Sequence, residues 1–246
     1  MKQVRPVVII TGAAGGIGRV VAAAFAKQQY RVMLTDIRES EAAKLADEIS
    51  AAGGEAASRA VNITSTPSIA DMVEATAAQF GNINVLVHAA GLDAPRANLW
   101  ELDDKLWDRI IELNLTSAWK CAKAVLPAMA GNKAGRIIFI SSISSWKASS
   151  TTAVAYNAAK AGINGLTIGL AKQLEPHGIL VNAVAPGPTG TGEPMTLAEI
   201  IADRKLFPIP IVGAQPVADA CLYLAGPSGS WISGTTLNVS GGRWHG

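Results

Sequence analysis

At 246 residues with no break in composition, the chain fits one α/β domain, and 49% hydrophobic against 16% charged residues is enough apolar material to cover both faces of a sheet. A net charge of +2, with lysines and arginines scattered rather than clustered, excludes a nucleic-acid groove or an anionic membrane surface as the organising feature. Cys121 and Cys221 stand far apart, and no His or Cys occurs at ligand spacing, which predicts two reduced thiols in a cytoplasmic protein and no metal site.

The run Val7 to Ile10 stops at Thr11-Gly12, too short for a signal-peptide core, and reads as a buried parallel strand. It feeds Thr11-Gly-Ala-Ala-Gly-Gly-Ile-Gly18, after which Val20, Val21, Ala24 and Phe25 mark the inner side of a helix ending near Tyr30. Arg31 to Asp36 is a second strand closing on a carboxylate. Glycines at a strand-to-helix turn let backbone amides and the helix N-terminus hold a pyrophosphate. Asp36 lies 18 residues after Gly18, close to the spacing of about 20 expected of a ribose-binding acid.

The second helix runs from about Glu39 to Ala52 and stops at Gly53-Gly54, and a weaker strand follows at Ala56 to Val61. Ser65-Thr66-Pro67 supplies a cap and a first-turn proline for a helix carrying Ile69, Met72, Val73 and Phe80. Ile83 to Ala89 is a fourth buried strand ending in His88-Ala-Ala-Gly91. Trp107 to Ala130 reads as one long helix, loosened near its end by Pro127. Arg136 to Ile140 is a fifth strand running into Ser141-Ser-Ile-Ser-Ser145.

In the next segment Tyr156 and Lys160 stand at i and i+4, so on a helix phenol and ammonium share a face about 5 to 6 Å apart at Cβ. A fixed positive charge favours the phenolate and brings the group towards proton exchange at neutral pH. A sixth strand, Ile179 to Ala185, ends in Pro186-Gly187-Pro188-Thr189-Gly190-Thr191. The stretch 188–214, with one short helix at Thr196 to Lys205, has the length of a substrate lid. A final helix (Pro216 to Ala225) and strand (Thr235 to Val239) close the chain. No apolar segment reaches about 18 residues, so no transmembrane helix is predicted.

The TGAAGGIG turn, Asp36, Asn114, a serine ahead of YxxxK, and the PG segment together resemble the short-chain dehydrogenase/reductase family along almost the whole chain. The resemblance implies a Rossmann-like doubly wound sheet of about seven parallel strands, with residues 1–110 mainly dinucleotide-binding and 111–246 catalytic, in a homotetramer or homodimer. By that resemblance Tyr156 is the general acid/base, Lys160 lowers its pKa and holds the nicotinamide ribose, Ser142 orients the substrate oxygen, and Asn114 anchors a water of the proton relay. Ser142 lies 14 residues before Tyr156 where the family commonly has about 13, with Ser144 at 12. Ser142 is taken because it follows the strand end; Ser141, Ser144 and Ser145 read as turn formers. The cofactor would lie against Gly12, Gly16, Ile17, Gly18, Asp36, Ile37, Asn62, Ile63, Ala89, Ala90, Gly91, Tyr156, Lys160, Pro186, Gly187, Thr189 and Thr191. Two positions depart from the family pattern: His88-Ala-Ala-Gly91 stands where NNAG is usual, and Asn62 where an aspartate contacts adenine.

A carboxylate ending the second strand accepts ribose hydroxyls and repels a 2′-phosphate, so NAD is expected over NADP. Arg38 is the counter-argument and reads as a solvated charge. His88 reads as a satisfied core side chain, while Trp146, Asp93 and Arg96 fall where family members line the substrate pocket. The expected activity is NAD-dependent interconversion of a secondary alcohol, polyol or sugar hydroxyl with its carbonyl. The alternatives are an NADPH-dependent 3-oxoacyl-thioester reductase and a non-catalytic NAD-sensing scaffold.

Overall fold

The computed structural model describes residues 5–92, 95–190, 196–207, 209–211 and 213–245. Strands β1 (Val7–Thr11), β2 (Arg31–Asp36), β3 (Glu55–Ala60), β4 (Val85–His88), β5 (Gly135–Ile140), β6 (Ile179–Pro186) and β7 (Thr236–Val239) form one sheet in the order β3-β2-β1-β4-β5-β6-β7. Every pairing is parallel. Between them run α1 (Gly16–Lys27), α2 (Glu39–Ala51), α3 (Thr66–Phe80), α4 (Asp104–Ile111), α5 (Ser117–Gly131), α6 (Val154–Leu174), α7 (Leu197–Leu206) and α8 (Gln215–Ala225).

The unbroken apolar run of β1 follows from its central place, because both of its faces are covered. Val8 and Ile10 join a core with Val21 and Phe25 of α1, Leu45 and Ile49 of α2, and Val217, Cys221 and Leu224 of α8. Val7 and Ile9 join a second core on the other face, with Ile69 and Met72 of α3, Cys121 and Val125 of α5, and Ile163 of α6. Successive strand residues point to opposite faces, so one strand serves both layers.

Capping follows the sequence at α3, where Ser65 Oγ accepts from the Ser68 amide and Pro67 sits in the first turn. Three elements differ from expectation. α1 stops at Lys27 rather than near Tyr30. β4 is shorter, spanning Val85–His88. The long helix begins at Asp104 and is interrupted by a π-helical turn at Glu112–Thr116 before continuing through Pro127 to Gly131. Two side chains draw on carbonyls at the turn: Asn114 Nδ2 donates to Ile110 O at 3.1 Å and Ser117 Oγ to Leu113 O at 2.8 Å. The extra residue per turn carries Asn114 inward, where it is 2% exposed.

Among the described residues no helix is long and apolar enough to cross a membrane, and no group of three or more His, Cys, Asp or Glu side chains could hold a metal ion. Both cysteines are free and buried, and burial pushes each thiol up to about 12.

Candidate active site

The strand order reverses between β1 and β4, and in a doubly wound sheet a crevice opens at that point, beyond the carboxyl ends of the strands. Because all strands are parallel, the turns carrying the expected site residues leave that one edge. Thr11-Gly12 follow β1, Asp36 closes β2, Asn62 and Ile63 follow β3, His88 to Gly91 close β4, Ser141 and Ser142 follow β5, and Pro186 to Thr189 close β6.

The glycine-rich turn is fixed by close approach. Gly12 has φ +69°, and a Cβ there would lie 2.6 Å from the Ala90 backbone; one on Gly18 would lie 2.1 Å from Gly12 O. Gly15 precedes α1 with no side-chain cap, and the first helical turn holds no acid. Gly16 is exposed and Ile17 half-buried, so the first amides of α1 and its positive dipole end remain open to an anion. The turn is tied to β2: the Ala13 amide donates to Thr35 O at 3.1 Å and the Ala14 amide to Asp36 Oδ2 at 3.0 Å.

Asp36 is 7% exposed. Its Oδ1 accepts from the Arg38 amide at 3.0 Å and from Arg38 Nε at 3.3 Å, while Arg38 Nη1 meets Glu41 at 2.9 Å. Arg38 is thus half-exposed but shared between two carboxylates rather than only solvated. Ile37 beside it is an exposed apolar side chain. Asn62 Oδ1 accepts from the Thr64 amide at 3.0 Å and from Thr64 Oγ1 at 2.8 Å. The amide donor fixes the orientation of the Asn62 carboxamide, so its Nδ2 is the group turned to other partners.

His88 lies in the core at the end of β4, as expected. Ser117 Oγ gives its one proton to Leu113 O, so toward His88 Nε2, at 3.2 Å, it accepts. The proton therefore sits on Nε2, and Nδ1 accepts from Thr11 Oγ1 at 2.9 Å, which in turn accepts from the Ala90 amide at 3.3 Å. Complete burial, and secondarily the Lys160 charge, lower the His88 pKa to about 3, so the ring is neutral. This chain of bonds joins the end of β1, the turn Ala89 to Gly91, and the π turn carrying Asn114. A Cβ on Gly91 would lie 2.7 Å from Asn114 Oδ1, which has no protein donor among the described residues.

Tyr156 and Lys160 share the inner face of α6, 9% and 6% exposed, with Lys160 Nζ 5.5 Å from the Tyr156 ring centroid and donating to Ile140 O at 2.9 Å. Ser142 is half-buried at the head of a short 3₁₀ turn, Ile143–Ser145, and its Oγ accepts from the Ser144 amide at 3.1 Å. The same helix holds this turn: Asn157 Nδ2 donates to Ser144 O at 2.7 Å, Asn164 Nδ2 to Ser145 Oγ at 2.9 Å, and Ser141 Oγ to Asn164 Oδ1 at 2.8 Å. Asn157 and Asn164 were not anticipated, although their i, i+7 spacing beside Tyr156 and Lys160 places them along one side of the helix.

Pro186 is buried, Gly187 donates its amide to Val239 O at 3.1 Å, and Thr189 is half-buried. Thr191 and Asp93 lie outside the described residues. Trp146 stacks on Trp244, with centroids 4.2 Å apart and planes 14° from parallel. Arg96 is exposed and forms an isolated antiparallel bridge with Thr152.

Known proteins resemble this chain over most of its length. A family model described as short chain dehydrogenase matches residues 6–199. The 3-oxoacyl-[acyl-carrier-protein] reductase FabG of Escherichia coli (strain K12) is 35% identical over 241 residues, covering 97% of each chain. A cis-4-hydroxycyclohexanecarboxylate dehydrogenase of Sinomonas cyclohexanicum is 36% identical over 245 residues, covering 96% of this chain and 95% of its own. A crystal structure of a dehydrogenase/reductase from Sinorhizobium meliloti 1021 superposes with a TM-score of 0.88 at 30% identity, covering 96% of this chain and 94% of that one.

Proposed function

The chain belongs to the short-chain dehydrogenase family, and from that premise we propose that it interconverts a secondary alcohol and its ketone with NAD(H). The observation that carries the reading is the placement of Tyr156 and Lys160 on the buried face of α6, with the Ser142 turn hydrogen-bonded to the same helix. In the oxidising direction the Tyr156 phenolate takes the hydroxyl proton, and in the reducing direction the phenol returns it to the carbonyl oxygen. The Lys160 ammonium stabilises the phenolate, and the bond to Ile140 O fixes where that charge sits. Ser142 Oγ orients the substrate oxygen. Asn114, buried beside Gly91 with Oδ1 unmatched, offers an acceptor to a water of the relay. The nicotinamide, when bound, supplies the hydride donor or acceptor.

The residues present fit a dinucleotide. The uncapped amides of α1 at Gly16, Ile17 and Gly18 suit the pyrophosphate, with Gly12 shaping the turn beneath it. Ala89, Ala90 and Gly91 line the floor between β1 and β4. Ile37 and Ile63 offer apolar contact to adenine, and Asn62 Nδ2 can donate to a ring nitrogen. Pro186, Gly187 and Thr189 suit the nicotinamide side. Asp36, Arg38 and Glu41 together carry one net negative charge, which supports ribose hydroxyls over a 2′-phosphate. Half-exposed Trp107 and Trp119 on α4 and α5 support a homodimer or homotetramer.

The second reading is reduction of a 3-oxoacyl thioester with NADPH, and its substrate class is favoured by the 3-oxoacyl-[acyl-carrier-protein] reductase names of several relatives about 35% identical to this chain. The test follows the near-ultraviolet absorbance of reduced nicotinamide, offering NAD or NADP with alicyclic and linear secondary alcohols, and NADH or NADPH with acetoacetyl thioesters. Wild type is run beside Tyr156→Phe. Turnover with NAD and a secondary alcohol, lowered about 10²- to 10⁴-fold in the variant, is expected. Thioester reduction with NADPH alone would establish the second reading in its place. Tight NADH binding without turnover of any substrate would leave the scaffold.

A further inference from the structure

Among its described side chains, helix α7 is weakly held by apolar packing. Its Ile200, Ile201 and Leu206 are 39%, 48% and 75% exposed. An element that buries so little belongs to the low-stability end of a fold, and something else must fix its position. That fixing comes from the segment after β7. Arg243 is 5% exposed, and its Nη2 pairs with Asp203 Oδ2 of α7 at 2.5 Å. Nη1 donates to Ser240 O and Gly241 O, both at 3.3 Å, and the guanidinium carbon lies 5.0 Å from the centroid of Phe207, the residue after α7.

The same ring has a second cation. Lys147 Nζ stands 5.5 Å from the Phe207 centroid and donates to Arg243 O at 3.3 Å. Lys147 follows the Ser142 turn directly, its amide donating to Ile143 O at 2.8 Å, and its neighbour Trp146 carries the stack on Trp244. Three segments distant in sequence therefore meet at one side chain: the turn carrying Ser142, the helix within the 188–214 stretch, and the segment Ser240–Trp244. The ion pair is the critical contact, because a guanidinium this buried needs its counter-charge while two cations share one aromatic face.

We infer that Arg243 is a positioning residue for the substrate loop, latching α7 through Asp203 and Phe207 onto the turn that carries Ser142. Its effect on substrate rests on the dehydrogenase reading above; its effect on α7 does not. Loss of either charge frees α7 from the Ser142 turn and opens the substrate side of the crevice, leaving the glycine-rich turn and Asp36 on the far side untouched.

The test uses Asp203→Asn, Arg243→Met and the double variant of the full chain. Arg204 and Lys205, exposed in the last turn of α7, are tryptic sites beside Asp203, and cleavage there is followed by mass spectrometry. Each single variant is expected to speed that cleavage about tenfold, the double variant no more than the worse single one, since both remove one contact. With the substrate that turns over best, KM rises about tenfold as well while the NADH dissociation constant stays within about twofold. Should Arg243→Met not fold, Asp203→Asn alone carries the test. Unchanged cleavage, or single effects that multiply in the double variant, overturns the latch. A wild type without turnover defeats the dehydrogenase reading, and the cleavage rates still decide the latch.

Discussion

A histidine at the end of β4 is an unusual choice for so buried a position, and its burial has a price in acid. The folded-state pKa of His88 is about 3 against 6.5 in the unfolded chain, so between those values the unfolded state binds the extra proton. Stability is therefore fully present above pH 6.5 and falls as pH drops toward 3, at up to about 1.4 kcal/mol per pH unit from this group. Glutamine can accept from Thr11 and donate to Ser117 without titrating. Denaturant melts of wild type and His88→Gln should diverge by about 2 kcal/mol between pH 6.5 and 5, with the variant losing less. Parallel losses in the two proteins would show that the folded-state pKa of His88 is not lowered below that of the unfolded chain. The pair Tyr156 and Lys160 belongs to the same scale. Its spacing was legible because four residues suffice to place two groups on one helix face. The proton order through Thr11, His88 and Ser117 was not, because it joins residues 77 and 29 positions apart.

Among elements, α6 and the π turn define the geometry of the site together, and a glycine sets their distance. A Cβ on Gly162 would lie 2.7 Å from Leu115 Cδ2 in the π turn. Gly162→Val should cost about 1–3 kcal/mol of stability through overpacking, and lower kcat by shifting Tyr156 away from Asn114. Exposed Gly165, one turn along the same helix with nothing within 4 Å of a built Cβ, is the control: Gly165→Ala should gain up to about 1 kcal/mol and leave kcat unchanged. Thermal melts and initial rates on the two variants check this, and equal melts would remove Gly162 from the account. The central strands were readable because burial on both faces makes them apolar runs, as in Val7 to Ile10. The π turn was not, because Glu112 to Thr116 keeps ordinary helical residues and departs only in which carbonyls Asn114 and Ser117 draw away. The Ser142 turn was half legible: the serines announced a turn, while Asn157 and Asn164, which hold it, lie past the motif that identifies the helix.

For the molecule as a whole, the proposed cofactor contacts follow six of the seven strands, so binding stabilises the sheet rather than one loop. NADH at about 100 times its dissociation constant adds about 2.7 kcal/mol and should raise Tm by roughly 5 to 10 °C. NADPH at the same concentration should give a smaller rise, because of the net negative charge around Asp36; equal rises would remove that preference. The sheet also separates the two larger cores, one with α1, α2 and α8 and the other with α3, α5 and α6. Neighbouring residues such as Ile9 and Ile10 answer to different partners, Met72 and Val125 being in the core of the first and Phe25 and Leu224 in that of the second. Substitutions that act through side-chain packing are additive when they share no partners. Stabilising changes found separately in the two layers can therefore be combined in one chain without re-optimising either, whereas changes within one layer must be selected together.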